Sequence, residues 1–250
     1  ESVLEPLKYF YNNLTGTIIL CQVMQKYNCK KMVFSSSATV YGIPERVPIE
    51  ETDKLSVTNP YGRTKLMQEE ILRDLSVADD EWKIILLRYF NPIGADESGR
   101  IGEDPLGIPN NLVPYITQVV VGKLKEVQVF GDDYDTKDGS GVRDYIHVTD
   151  LAIGHVKAIE RINNIKGVRA YNLGMGKGYS VFEVIEAFSR VCKRQIPYVV
   201  KARRPGDIAV CYADPGLARE ELGFIATRDL EKMCEDAYRW QSNNPNGYRK

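Results

Sequence analysis

The chain has 250 residues, enough for one large core or two modest ones, and its 33 basic and 34 acidic side chains nearly cancel. That balance leaves no basic field for nucleic acid and no polybasic membrane anchor, and apolar runs such as Ile84-Ile85-Leu86-Leu87 are far too short to span a bilayer. Five scattered cysteines (Cys21, Cys29, Cys192, Cys211, Cys234), without a CxxC or His/Cys cluster, read as reduced thiols of a cytoplasmic protein and not as zinc ligands.

Glu1 leads almost at once into a helix with no signal-peptide pattern ahead of it, as expected of a piece of something longer. Pro6 suits a first helical turn, and Leu7, Phe10, Tyr11, Leu14, Ile18 and Cys21 recur at helical spacing, predicting a helix over 6–28. Gly16 interrupts it and reads as a close-packing point. Met32-Val33-Phe34 predict a short buried strand that ends in Ser35, Ser36 and Ser37. After a loop, "NPYGRTK" opens a helix over 61–75, and "KIILLRYF" is the next strand. Helix, strand, helix, strand is the rhythm of a parallel, doubly wound sheet, whose sites lie at the C-terminal ends of its strands.

Beyond Asn91 the composition shifts to the Gly, Pro and Asp of a long functional loop. Helices are predicted at 111–123, 149–163, 180–193, 214–222 and 228–242, and strands at 127–130, 143–146, 169–172 and 197–200. Ser180 and Glu183 have capping-box spacing. "GMGKGYS" lacks the GxGxxG dinucleotide spacing and reads as a turn, while "DDYDTKDG" puts Lys137 where a calcium loop needs oxygen. His147 and His155 have no partner at telling spacing and read as structural.

Tyr61 and Lys65 stand at i and i+4, on one helix face. A free phenol, with a pKa near ~10, is a poor base, and a nearby cation favours its ionised form. Taken alone, YxxxK is more simply an exposed pair. A strand-end serine such as Ser37 could bond the same reacting oxygen, or merely cap the turn. Together the three make a specific constellation.

With these residues, the sequence resembles the extended short-chain dehydrogenase/reductase family. The likeness is carried by "PLKYFYNN", "FSSSATVYG", "NPYGRTK", "LLRYFNPIGA", "GEDPLGIPNNL", "VFGDDYDTKDGSGVRDYIHVTDLA", "YNLGMGKGYSV" and "ARRPGDIAVCYAD", in family order over nearly the whole chain. Within the family it is most similar to members that epimerise UDP-hexoses at C4 with NAD. The resemblance implies that Tyr61 is the base, that Lys65 lowers its pKa and holds the nicotinamide ribose, and that Ser37 bonds the sugar 4-oxygen. It places Asn12, Tyr89 and Phe90 at the cofactor. It places Ala38, Thr39, Asn91, Asn110, Asn111, Leu112, Gln128, Val129, Phe130, Arg143, Arg204 and Asp207 at the nucleotide sugar. A diphosphate suits fixed guanidinium donors, although either arginine alone reads as a salt bridge. Cys211 falls at the family's size-determining position, where a small residue admits N-acetylated UDP-hexoses; a cysteine chosen for packing is an equal reading.

The implied fold is α/β, a Rossmann-type doubly wound parallel sheet with a smaller α/β substrate domain. The expected division is 1–91 for the cofactor domain and 92–250 mainly for the UDP-sugar domain, with 142–175 returning to the first sheet. The family's glycine-rich phosphate-binding turn precedes the stretch present here, so weak NAD binding and unpaired strand edges are expected of the chain as given. A homodimer through helices 6–28 and 61–75 is also implied. Among enzymes the nearest rival is another nucleotide-sugar member of the family, such as a 4,6-dehydratase or a uronate decarboxylase; the resemblance implies an acid pair after the active-site Ser or Thr of a dehydratase, and Ser37-Ala38-Thr39-Val40 carries no carboxylate. A catalytically silent nucleotide-sugar-binding protein remains the alternative from another class.

Overall fold

A computed structural model describes residues 1–248, which divide into two compact units. The first contains Glu1–Phe90, Ile153–Leu173 and Ala213–Ile225; the second contains Asn91–Ala152, Gly174–Tyr212 and Ala226 onward.

In the first unit, helices α1 (Pro6–Phe10) and α2 (Gly16–Lys26) are joined by a π turn, Tyr11–Thr15. Gly16 is not a packing point, since a Cβ there would meet nothing within 4 Å; it marks the end of the π turn instead. Strands β1 (Lys31–Ser35) and β2 (Lys83–Tyr89) are connected through α3 (Pro60–Ala78). Asn59 starts that helix by accepting the Gly62 N–H at 2.8 Å, with Pro60 in the first turn. All three strands of this sheet are parallel, in the order β1-β2-β6, where β6 is Gly167–Leu173. Ser35 lies opposite Leu87, and Tyr89 opposite Leu173, so the strands finish side by side. Ile84 to Leu87 are fully buried. On one face Ile84 and Leu86 pack with Cys21, Met32, Leu72 and Trp82 into a core.

The second unit is built on β3 (Asn91–Ile93), β4 (Val127–Phe130), β5 (Val142–His147), β7 (Gly178–Ser180), β8 (Tyr198–Lys201) and β9 (Val210–Cys211). Strand β5 is parallel to β3 and β9 and antiparallel to β7; β4 and β8 form a separate parallel pair. Helices α4 (Leu112–Val120), α6 (Val181–Val191) and α8 (Leu230–Asn243) enclose a core that includes Ile116, Val129, Phe188 and Met233. The capping box forms: Ser180 accepts the Glu183 N–H, and the Glu183 carboxylate accepts the Ser180 N–H.

Two elements complete the chain: α5 (Val148–Arg161), within which the boundary between the units falls, and α7 (Gly216–Leu222) in the first unit. The segment returning to the first unit is therefore 153–173, narrower than the 142–175 read from sequence. Strand β5 stays in the second unit because its partners are β3, β7 and β9. The segment 213–225 also belongs to the first unit, tied there by the bridge between Ile49 and Ala213.

Candidate active site

The C-terminal ends of β1 and β2 and the first turns of α3 bring Ser37, Tyr61 and Lys65 together within the first unit. Ser37, extended and nearly buried, caps a single helical turn, Ala38–Tyr41. Its Oγ accepts from the Thr39 N–H at 3.2 Å and from the Thr39 hydroxyl at 3.0 Å. Both lone pairs are thus occupied, and its own proton is left to donate. The Ser37 hydroxyl is the neighbour that favours the ionised form of the Tyr61 phenol. Gly62 lets α3 come this close, since a Cβ there would stand 3.0 Å from the Thr39 carbonyl oxygen.

Lys65 Nζ donates to the Ser35 carbonyl at 2.9 Å and lies 5.9 Å from the centre of the Tyr61 ring. Burial pushes the lysine pKa down. Burial also pushes the Tyr61 phenol up, joined by the neighbouring Tyr89 and Tyr9 and opposed by the Ser37 hydroxyl. The lowering expected from Lys65 is therefore not what governs Tyr61 in the chain by itself: the ammonium sits over the ring face and is anchored to a backbone carbonyl. Tyr89 is half-buried, with its ring 6.1 Å from that of His155, and Phe90 is buried just beyond β2. Asn12 lies exposed in the π turn, its amide donating to Asn13 at 3.0 Å.

Behind the three residues lies a polar network that the sequence reading missed. Arg88 and Glu69 are both buried and form a bidentate pair, Nε to Oε1 at 2.9 Å and Nη2 to Oε2 at 2.6 Å. Ser36 donates to the same Glu69 Oε1 at 2.5 Å. Arg88 also reaches the Tyr41 hydroxyl and the Glu51 carbonyl, each at 3.1 Å, and Tyr41 donates to Asn172 at 2.6 Å. Burial raises the Tyr41 phenol to about 12. The available signal was Arg88 itself, a guanidinium inside an apolar parallel strand that has to be paired.

Within the second unit there is a cavity of about 430 Å³. Asn91, Asn110, Asn111, Leu112, Gln128, Phe130, Arg143, Arg204 and Asp207 all line it. Arg204 pairs with Asp207 at 2.9 Å and lies 4.7 Å from the Phe130 ring centre. Arg143 Nη1 donates to the Val142 carbonyl at 2.8 Å, which leaves most of its donors for other acceptors. Val129 does not line the cavity: strand alternation turns it into the core while Gln128 and Phe130 face outward. Nor does Cys211, which is buried in β9 opposite Arg143, with its thiol raised by burial to about 11. Tyr134 and Tyr115 were not anticipated and also form the wall. Among the described residues, no three His, Cys, Asp or Glu side chains converge on a metal-sized site.

The sequence pattern of the NAD dependent epimerase/dehydratase family matches residues 1–174. The UDP-glucose 4-epimerase of Bacillus subtilis is 65% identical over 249 residues, covering all of this chain and 74% of that protein. The Homo sapiens UDP-glucose 4-epimerase is 55% identical, covering 99% and 72% respectively. The crystal structure of UDP-glucose 4-epimerase from Bifidobacterium longum in complex with NAD+ and UDP superposes with a TM-score of 0.97 at 58% identity, covering 99% of this chain and 74% of that one.

Proposed function

The chain belongs to the NAD dependent epimerase/dehydratase family, and from that premise we infer that it interconverts UDP-galactose and UDP-glucose by epimerisation at C4, with NAD as cofactor. At residue level the reading is carried by the meeting of Ser37, Tyr61 and Lys65 at the ends of two parallel strands. The donor set suits the cofactor: Lys65 uses one N–H on Ser35 and has two more for ribose hydroxyls. Held through Lys65, oxidised NAD would supply a positive charge that favours the phenolate and a two-electron acceptor for the hydrogen on C4. Tyr61, as phenolate, would take the proton of the 4-hydroxyl while the C4 hydrogen leaves with its electron pair, and would return that proton to O4 when C4 takes the hydride back on its other face. Ser37, a donor by virtue of its Thr39 contacts, bonds O4 throughout.

In the second unit, Arg143 and Arg204 are the guanidiniums for the diphosphate, and Asp207 is the acceptor for the ribose hydroxyls. Acceptance of N-acetylated UDP-hexoses rests on the resemblance at Cys211, a small residue that is buried in β9 and does not line the cavity. A homodimer is supported by exposed apolar side chains on α2, including Ile18, Leu20 and Val23. A cytoplasmic location is supported by five free thiols. No helix among the described residues is long and apolar enough to cross a membrane.

The test is to supply UDP-galactose and NAD⁺ and follow UDP-glucose, with UDP-N-acetylglucosamine in a parallel arm. Conversion should proceed without net NADH, and Tyr61→Phe should lower it by roughly 10²–10⁴-fold. Undiminished turnover in Tyr61→Phe would remove Tyr61 as base. NADH accumulation would indicate a dehydrogenase, and an inert N-acetylated arm would leave Cys211 a packing residue.

A further inference from the structure

Three consecutive residues at the end of β1 meet three residues of α3. The Ser35 carbonyl holds Lys65 Nζ at 2.9 Å, the Ser36 hydroxyl donates to Glu69 at 2.5 Å, and the Ser37 hydroxyl acts on the Tyr61 phenol, favouring its ionised form. Positions 61, 65 and 69 are successive i+4 neighbours, so they share one helix face over a rise of about 12 Å. Strand pleating sends neighbouring side chains to opposite faces. The Ser35 hydroxyl accordingly goes to His155 Nε2 at 3.2 Å, away from α3, and the Ser36 hydroxyl goes toward it.

Of the three contacts, the one through Ser36 is the one buried on both sides. Ser36 and Glu69 are each fully buried, and Glu69 is fixed from β2 by two bonds from Arg88. Lys65 and Tyr61 are only part-buried, as groups that must reach a ligand have to be. We propose that Glu69 and Ser36 are positioning residues: their hydrogen bond sets the register of α3 against the end of β1, and so holds Tyr61 on Ser37 and Lys65 on the Ser35 carbonyl. A slip of α3 by one residue would carry it about 1.5 Å along its axis and turn it by about 100°, breaking all three contacts together.

The proposal rests on Tyr61 being the base, and Ser36→Ala tests it without touching that residue. The substitution leaves both Arg88 bonds to Glu69 intact, so no buried charge loses its partner. The first readout is the ultraviolet titration of Tyr61 in the free chain, taken as the difference from Tyr61→Phe. The other groups facing the phenol, namely Lys65, Tyr9 and Tyr89, are the same in both. As Ser37 slackens, the Tyr61 titration should move to higher pH, because the ionised phenol loses the neighbour that favours it. The second readout is kinetic: kcat should fall roughly tenfold through misplacement of the base, with the KM for UDP-galactose within about twofold and the melting temperature within a few degrees. Glu69→Asp keeps a carboxylate for Arg88 while shortening the reach to Ser36, and should move the Tyr61 titration in the same direction.

An unmoved titration in both variants overturns the proposal, whatever the rate does. A kcat loss that merely follows a lowered melting temperature, with Tyr61 unmoved, overturns it as well. Because the titration needs no turnover, a shifted Tyr61 in a chain that converts no sugar supports the register while counting against the reaction.

Discussion

The two units hold their functional side chains in different ways. In the first, Ser37, Tyr61 and Lys65 rest on a buried frame of Ser36, Glu69, Arg88, Tyr41 and Asn172, linked by hydrogen bonds of 2.5 to 3.1 Å. In the second, Arg204 and Asp207 pair with each other at the wall of an open cavity, with the Arg204 side chain 52% exposed. The second unit has a buried polar cluster of its own, in which Asp236 accepts from His147, Lys232 and Arg239, but none of these lines the cavity. On the proposed reading, groups that move a proton are set by the fold beforehand, and groups that grip a ligand are left able to exchange partners.

That contrast can be broken at its strongest point with Arg88→Ala. Removing one member of the buried pair leaves Glu69 with only the half-exposed Arg73 at 3.7 Å as a cation and should cost about 3 kcal/mol in denaturant unfolding. A loss below about 1 kcal/mol would mean that the frame is solvated and the distinction between the units fails. Arg204→Ala should do the opposite. Its half-exposed ion pair contributes little to folding, so the melting temperature should hold, while the calorimetric Kd for UDP should weaken roughly 10–100-fold. Unchanged UDP binding would detach Arg204 from the ligand.

The smallest effect concerns pH. His147 accepts the Thr149 N–H on Nδ1 and faces Asp236 through Nε2, while burial pushes its pKa below the ordinary value and Asp236 partly restores it. Below pH ~6.5 the unfolded chain therefore takes up a proton that the folded chain resists. This contribution is fully present above that pH and is lost as pH falls toward the folded pKa. Comparing unfolding of the parent and His147→Gln between pH 8 and 5 should show the parent losing more stability on acidification. Parallel curves would remove His147 from the balance.

Much of this was legible in the sequence, because periodicity and caps act locally. The strand around Met32-Val33-Phe34, the helix from Pro60, and the Ser180/Glu183 capping box all follow from neighbours within a few residues. What escaped was set by distant partners. Strands β3, β7 and β9 have three residues or fewer and exist only through pairing with β5. Val129 and Gln128 could not be assigned to opposite faces until β4 had a core to face. Glu69 looked like one more charge on an amphipathic helix, and only Arg88, 19 residues on, gives it a purpose.

The π turn has a further meaning as a matter of phase. Tyr9, Asn13 and Thr17 meet α3 in succession, at the Tyr61 ring (6.3 Å between centres), the Thr64 hydroxyl (2.8 Å) and the Gln68 amide (2.6 Å). In an unbroken α-helix, residues four apart drift round the axis by about 40° at each step. Accommodating one extra residue between Tyr11 and Thr15 retards that rotation at the middle contact. The helical pair α1–α2 thus works like a screw with one stretched thread, its pitch altered so that three contacts stay in line with the helix bearing Tyr61. Chain length at 11–15 is an angular setting, and a single-residue insertion or deletion there would reset the angle of everything on one side of it.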